Sequence, residues 1–202
     1  MKTEILKTNI DWTEIKNECR HTDNKEDSDK EASTKFIKQL LLAEHSPLRL
    51  GQIKWRWSSI KSWISVHFAR HHEGIEKFVS TQRDDRTGVD RDKSPQDTPV
   101  NMDLVANLQA LINIGRFRLC RQAHPETRAY MEDLKDTITN EVQKEIGDVI
   151  VPNCIYRCGC PEFKECGYFT AFKNWCYQND KDITEIQSRY DAYNEFYHRK
   201  EN

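Results

Sequence analysis

The stretch WISVHFARHHEGIEKFVSTQRDDR, residues 63 to 86, holds three arginines, three histidines and two serines, with apolar residues threaded between them. Arg70, His71, His72, Ser80 and Arg83 make one basic and polar cluster, and Arg91, Asn107, Asn113, Arg118 and Arg128 make a second. A guanidinium forks onto phosphate oxygens, and an asparagine amide suits the edge of a pyrimidine or flavin ring. By chemistry alone these residues suit an anionic, nucleotide-like ligand. The alternative for any single arginine is a cap on helix carbonyls or a pair with Asp84, Asp85, Asp90 or Asp92. His67 and His71 stand four apart, a spacing that can ligate a metal on a helix. No companion glutamate follows the zinc-protease pattern, so packing beside Trp63 and Phe68 is the plainer reading.

A second kind of chemistry sits near the C-terminus. CIYRCGCPEFKECGYFTAFKNWC places Cys154, Cys158, Cys160, Cys166 and Cys176 within 23 residues. Thiolates this close suit tetrahedral zinc, with Gly159 and Gly167 allowing tight turns. The alternative is a set of small apolar core cysteines. Iron–sulfur ligation fits less well, because the spacing matches none of the common cluster patterns. With seven cysteines in all, an odd number, and no apolar leader in MKTEILKTNIDW, metal binding is expected ahead of a disulfide framework and the address is expected to be cytoplasmic.

The elements that must position these groups follow from composition and periodicity. The chain has 202 residues, 37% hydrophobic and 32% charged, the size and balance of one soluble globular domain. No run approaches the roughly 18 apolar residues of a membrane span. A net charge of −2 argues against coating nucleic acid. A short strand is expected near Ile5 and Leu6, then a solvated segment over residues 20–31. Ser33 or Thr34 caps a helix with Phe36, Ile37, Leu40 and Leu41 on one face, which stops before Pro47. Ile53, Trp55 and Trp57 alternate with Lys54 and Arg56 in the period of a strand. Ser58 or Ser59 then caps a helix whose stripe is Ile60, Trp63, Ile64 and Phe68. After a polar connector over 83–99, a helix is expected from about Asp103 to Arg118, with Leu104, Leu108, Leu111 and Ile112 inward. Asn107 and Arg118, nearly three turns apart, would share a face. Pro125 opens a long helix in which Tyr130, Leu134, Ile138, Val142 and Ile146 recur every four residues and Gly147 ends the run. The charged and aromatic segment from Asn179 reads as a peripheral helix.

RHHEGIEKFVSTQR resembles the signature of the flavin-dependent thymidylate synthases, R-H-R followed by spaced serines and an arginine. Arg70 and His71 fall on its first two positions and Ser80 on its later serine. HSP at His45 lies at the family's usual distance upstream. RDKSP at Arg91 resembles the family's R-x-x-L-P stretch, and NLQALINIGRFRLCRQAHPETR, residues 107 to 128, is similar to its asparagine-bearing helix and acidic segment, with Asn107, Asn113, Arg118 and Glu126 on matching positions. Several positions depart: His72 for arginine, Ile75 for serine, Phe78 for an acid, Gln82 for arginine, and only ten residues between Ser80 and Arg91.

The resemblance covers roughly residues 1–150 and implies an α/β fold, a sheet with long flanking helices. It makes residues 1–150 a flavin- and nucleotide-binding domain; beyond it, the cysteine spacing makes residues 151–178 a candidate zinc-binding segment, and residues 179–202 read as a charged C-terminal helix. It further implies methyl transfer to dUMP with reduced FAD, NADPH and methylenetetrahydrofolate, in a homotetramer. His45, Arg70, His71, His72, Asn107 and Asn113 would face flavin. Ser80, Arg83, Arg91 and Arg118 would hold the nucleotide, with Ser80 and Arg118 nearest the chemistry. The alternative is a catalytically inactive nucleotide-binding or interaction module on the same scaffold, stapled by zinc.

Overall fold

The computed structural model describes residues 2–199. Four strands, β1 (Thr3–Asn9), β2 (Gln52–Lys61), β3 (Ile75–Val79) and β4 (Pro99–Asn107), form one antiparallel sheet in the order β1-β2-β4-β3. Helices α1 (Trp12–Thr22), α2 (Thr34–Ala43) and α3 (Ser62–Ala69) precede β3, and the short α4 (Asp84–Thr87) follows it. After β4 come α5 (Leu108–Arg118), α6 (Pro125–Thr137), α7 (Lys144–Val149), α8 (Asn153–Tyr156), α9 (Tyr168–Gln178) and α10 (Ile186–His198). This is the α/β arrangement expected from the sequence. Among the described residues, no helix is long and apolar enough to cross a membrane.

Alternation decides which face of the sheet is covered. Ile53, Trp55 and Trp57 of β2 and Val100, Met102, Leu104 and Ala106 of β4 are buried, while Lys54, Arg56, Asp103 and Val105 lie on the other face. Trp57 is the hub of the buried side. Its ring lies 4.6 Å from that of Phe68 on α3 and 5.4 Å from that of Tyr130 on α6. Its indole N–H donates to Thr3 Oγ1 at 2.8 Å, and the Thr3 hydroxyl and backbone N–H both donate to Asp133 Oδ2 at 2.6 Å. One relay therefore ties β2, β1 and α6.

The α2 helix starts where the sequence placed it, with the Ser33 hydroxyl accepting from the Phe36 N–H. Ser58 and Ser59, however, do not cap a helix. They form a bulge in which two β2 residues oppose Asn101 alone, between the pairs Trp57↔Met102 and Ile60↔Val100. Ser59 takes φ 55° and its N–H bonds the Asn101 side chain. The extra residue shifts the alternation, so Trp57 and Ile60, three apart, both point inward. Ile60, expected on the apolar stripe of the next helix, thus belongs to the strand. Helix α3 begins later, at Ser62.

The helix expected from Asp103 also starts later. Residues up to Asn107 complete β4, and Asn107 caps α5 through a 2.8 Å bond from the Ala110 N–H. The long helix from Pro125 does not run to Gly147. Apolar residues repeating every four positions drift about 40° per repeat on a 3.6-residue helix. A π turn at Ile138–Val142 absorbs this drift, and the extended Gln143 separates α6 from α7. Gly147 lies within α7, pressed against Thr139, where a Cβ would collide. Nor is α10 peripheral: Tyr190, Tyr193 and Phe196 are buried in the same apolar cluster as the sheet, and Arg189 is buried with Nε on the Ile155 carbonyl at 2.8 Å. The expected peripheral helix ran to residue 202, and its residues 200–202 lie outside the described ones.

Lys135 of α6 is fully buried beneath α10, with Nζ donating to the Gly147 carbonyl at 2.5 Å and to Asn194 Oδ1 at 2.8 Å. Burial pulls its amine down from 10.5 to about 7, against the opposing pull of Asp148 and Asp136. The unfolded chain keeps this proton up to about pH 10.5, whereas the folded chain sheds it near 7. Between these values the folded state therefore gains stability as pH rises. Lys135→Met lacks this dependence. The stability difference between wild type and Lys135→Met, measured by urea unfolding, should move toward wild type by up to about 1.4 kcal/mol per pH unit between pH 7.5 and 9. A difference that stays flat over that range would show that Lys135 is charged in the folded protein.

Candidate functional site

The turn from α3 to β3 brings the signature residues against α5. Arg118, in the last turn of α5, donates from Nε to His71 Nε2 at 2.9 Å and from Nη2 to the His67 carbonyl. Its guanidinium also lies 6.0 Å from the Phe68 ring. Lys77 of β3 donates to the His71 carbonyl, and Phe117 lies 6.2 Å from the His71 ring. At the other end of α5, the Asn107 N–H bonds the Gly74 carbonyl at 2.9 Å. Gly74 takes φ 68°, and a Cβ there would run into the Asn107 amide. The segment from His71 to Gly74 thus spans α5 from its C-terminal arginine to its N-cap.

The electrostatics of this cluster are one-sided. Among the described residues, none of Arg70, Arg91 and Arg118 pairs with a carboxylate. Burial, and then the charge of nearby Arg70, pull Arg118 below the ordinary guanidinium value. His71 is pushed down to about 4, first by burial and then by Arg118, Lys77 and His72, so at neutral pH its Nε2 is an acceptor for Arg118. His67 is likewise lowered by burial and by Arg118, and its Nδ1 sits 2.8 Å from Thr127 Oγ1. Both imidazoles are engaged within the chain, and no metal-holding group forms around them among the described residues. Lys77 and Thr127 were not singled out in the sequence, since each contacts the histidines only through the folded chain.

The remaining sequence candidates fall into two other places. Ser80, just beyond β3, is knitted to Asn101: its N–H donates to the Asn101 carbonyl and its Oγ accepts from the Asn101 N–H, both at 2.9 Å. With Ser62, Ser65, Thr81, Arg83 and Arg91 it lines an open groove of about 270 Å³. Arg83 is held there in a two-pronged pair with Asp85, at 2.9 and 2.8 Å. Asn113 lies elsewhere, accepting from Arg116 Nη1 at 3.0 Å beside Glu44, whose carboxylate takes both Arg116 and Gln109. His45, exposed, follows Glu44 directly and so borders this second place. His72 is exposed. Arg128 serves as a local cap, reaching the Arg121 and Ala123 carbonyls and Glu132.

The cysteines divide as well. Cys154, Cys160 and Cys166 line one small cavity together with Cys120 from the end of α5. Cys158 instead faces the Ile183 carbonyl, and Cys176 is buried in the apolar core. Burial first, then the neighbouring Cys120, Cys160 and Cys166, push the Cys154 thiol up to about 12.

The fold is similar to solved structures of the flavin-dependent thymidylate synthase ThyX from Helicobacter pylori complexed with FAD and dUMP. One of these has a TM-score of 0.60 at 11% identity, and another has 0.60 at 10%. In each case 74% of this chain and 99% of that chain are covered. It is also similar to the UMP/dUMP methylase PolB from Streptomyces cacaoi bound with 5-Br dUMP, with a TM-score of 0.58 at 13% identity over 73% of this chain and 93% of that one. At these identities the likeness is one of fold. No family model matches the sequence, and no curated protein matches it.

Because burial is the largest cause of the low His71 value and Arg118 the next, Arg118→Gln should raise it above about 4 while leaving it short of the ordinary 6.5. An imidazole NMR titration measures this directly. In the wild type the same group makes stability fall as pH drops from about 6.5 to about 4, since the unfolded chain takes up the proton first. A wild-type His71 titrating at 6.5 would contradict the packing around Arg118.

Proposed function

We propose that this protein is a flavin-dependent enzyme that transfers a one-carbon unit to a pyrimidine nucleotide, with dUMP as the substrate. The observation that carries the proposal is the counter-ion-free cluster of Arg70, Lys77 and Arg118 around a neutral His71. The Arg118 guanidinium is half-buried without a carboxylate, which is costly, and an anionic ligand beside it and the exposed Arg70 offsets that cost. The donor set fits phosphate and the carbonyl edges of a pyrimidine or isoalloxazine ring. The likeness in fold to the ThyX and PolB structures adds the chemical context.

In such an enzyme a bound flavin would supply hydride, with NADPH as the reductant and a methylene-folate as the carbon source. The chain's own residues supply position and charge. Arg70, His71, His72, Asn107, His45 and Asn113 would hold the flavin. Arg118 meets the developing negative charge on the pyrimidine, held in place by its bond to His71. Ser80 and Arg91 take the nucleotide phosphate in the groove, joined by Arg83 when it leaves Asp85.

These groups do not all converge within one chain. Ser62, Ser65, Ser80 and Arg91 line the groove, whereas Arg118 turns to His71 and to the Phe68 ring. A nucleotide held by both Arg91 and Arg118 would be shared between two copies of the chain, in the homotetramer that the family resemblance implies. The outer face of the sheet, with Phe78 60% exposed beside Arg56 and Asp103, offers apolar area for such an assembly.

FAD added to the apo-protein should bind with a shifted flavin spectrum, and dUMP should perturb that spectrum far more than deoxyuridine does. Arg118→Ala should weaken the dUMP response by about tenfold or more, the size of one lost charge-assisted contact. No flavin binding at high micromolar concentration would refute the flavoenzyme reading. Flavin and dUMP binding without any methylated nucleotide, read by mass spectrometry with methylene-folate present, would favour the inactive binding module.

The two-chain site has its own test. Arg118→Ala and Arg91→Ala, each with a weakened response alone, should regain part of the dUMP response when mixed and allowed to exchange subunits. A mixture as silent as its components, with a monomer by light scattering, would place the whole site in one chain.

A further inference from the structure

Four of the seven thiols meet at one place, although they come from separate stretches of chain. Cys120 lies just past the end of α5, Cys154 on α8, Cys160 in the turn after it, and Cys166 immediately before α9. They line a cavity of about 20 Å³, bordered by Arg121, Pro161 and Tyr168. That volume suits a single ion or water.

We propose that Cys120, Cys154, Cys160 and Cys166 form a structural site for one zinc ion bound by four thiolates.

The surroundings of the four sulfurs favour this chemistry. Arg121, stacked 4.8 Å from the Tyr168 ring, brings a positive charge to what would be a doubly negative centre. Gln122 Nε2 donates to the Lys164 carbonyl at 2.7 Å, so the turn bearing Cys120 is already tied to the loop bearing Cys160 and Cys166. Among the described residues no three ligating groups yet stand in metal-holding geometry. Zinc–sulfur bonds of about 2.3 Å require the sulfurs to draw inward. The loop can follow them: Gly159 has open space around it, and Gly167 takes φ 81°.

This set differs from the one expected from sequence spacing. Cys158 turns its sulfur away, toward Ile183, and Cys176 belongs to the apolar core. Cys120 replaces them. Because Cys120 follows Arg118 by two residues, an ion here also fixes the end of the helix that presents Arg118.

Full-length protein prepared with zinc under reducing conditions should hold about one zinc per chain by elemental analysis, as a closed structural site does. Cobalt substitution should give the intense visible bands and thiolate charge-transfer absorption of a tetrahedral thiolate site. Cys120→Ser should lower metal retention against a chelator by about tenfold or more, whereas Cys158→Ser should retain it as wild type does. If Cys120→Ser fails to fold, the cobalt spectra of wild type and Cys158→Ser decide. Absence of both zinc and the cobalt bands in fully reduced protein would overturn the proposal. So would a Cys158→Ser variant that loses its metal, or a disulfide between any two of the four thiols in the protein as purified from the cell.

Discussion

The indole N–H of Trp57 has to find an acceptor inside an apolar core, and much of the structure follows from where it finds one. An unpaired buried donor costs about 1–3 kcal/mol. Thr3 Oγ1 accepts from Trp57 and donates its own hydrogen bond to Asp133, so β1, β2 and α6 lock around one ring. The same ring packs on Phe68, which sets α3 against the sheet and places the turn from α3 to β3 beside α5. Phe68 in turn lies under the Arg118 guanidinium. A chain of contacts thus leads from the centre of the core to the most charged point of the candidate site. Trp55, its neighbour two residues earlier, has no such partner for its indole N–H among the described protein groups. The two tryptophans fill similar space, but only Trp57 organises the elements around it.

The distribution of charge around the site follows a simple rule. Arginines near acidic side chains are used up locally: Arg83 by Asp85, Arg56 by Asp103, and Arg116 by Glu44. Arg118 is spared, because it reaches the His71 ring and the His67 carbonyl instead of a carboxylate, and the exposed Arg70 and Arg91 side chains pair with none among the described residues. A near-neutral protein can therefore carry a locally electropositive cluster. Net charge alone says nothing about such a site.

What the sequence reveals depends on whether a local pattern survives tertiary packing. The Ser33 cap, the alternation of β2 and the helix opened by Pro125 all rest on local rules, and all are seen in the fold, whereas the sequence put His71 and Arg118 in separate clusters and only the folded chain joins them. β4 was hidden because its inward residues run directly into those of α5 at Asn107, with no turn residue between strand and helix. The π turn at Ile138 was hidden because a four-residue repeat imitates a straight helix. The burial of α10 was masked by charges that occupy its outer face. Asn113 shares a helix with Arg118 but points toward Glu44, because positions five apart on a helix diverge by about 140°. Cys120 carried no local signal, since its companions lie more than thirty residues downstream.

The bulge at Ser58 and Ser59 specifies shape by counting residues. Without Ser59 the strand would alternate regularly from Trp57 to Ile60, and every buried pair of the sheet would still be available. What the additional residue supplies is a bend and a stronger twist, which set the direction in which the chain leaves the sheet to begin α3. The information in this position is therefore its presence. Any residue that tolerates φ near 55°, such as asparagine or glycine, preserves the take-off angle of α3. A one-residue deletion preserves the core and redirects the helix. Among relatives of this fold, the orientation of the basic cluster can thus drift by insertion and deletion at a single point, while the hydrophobic composition that stabilises the sheet stays the same.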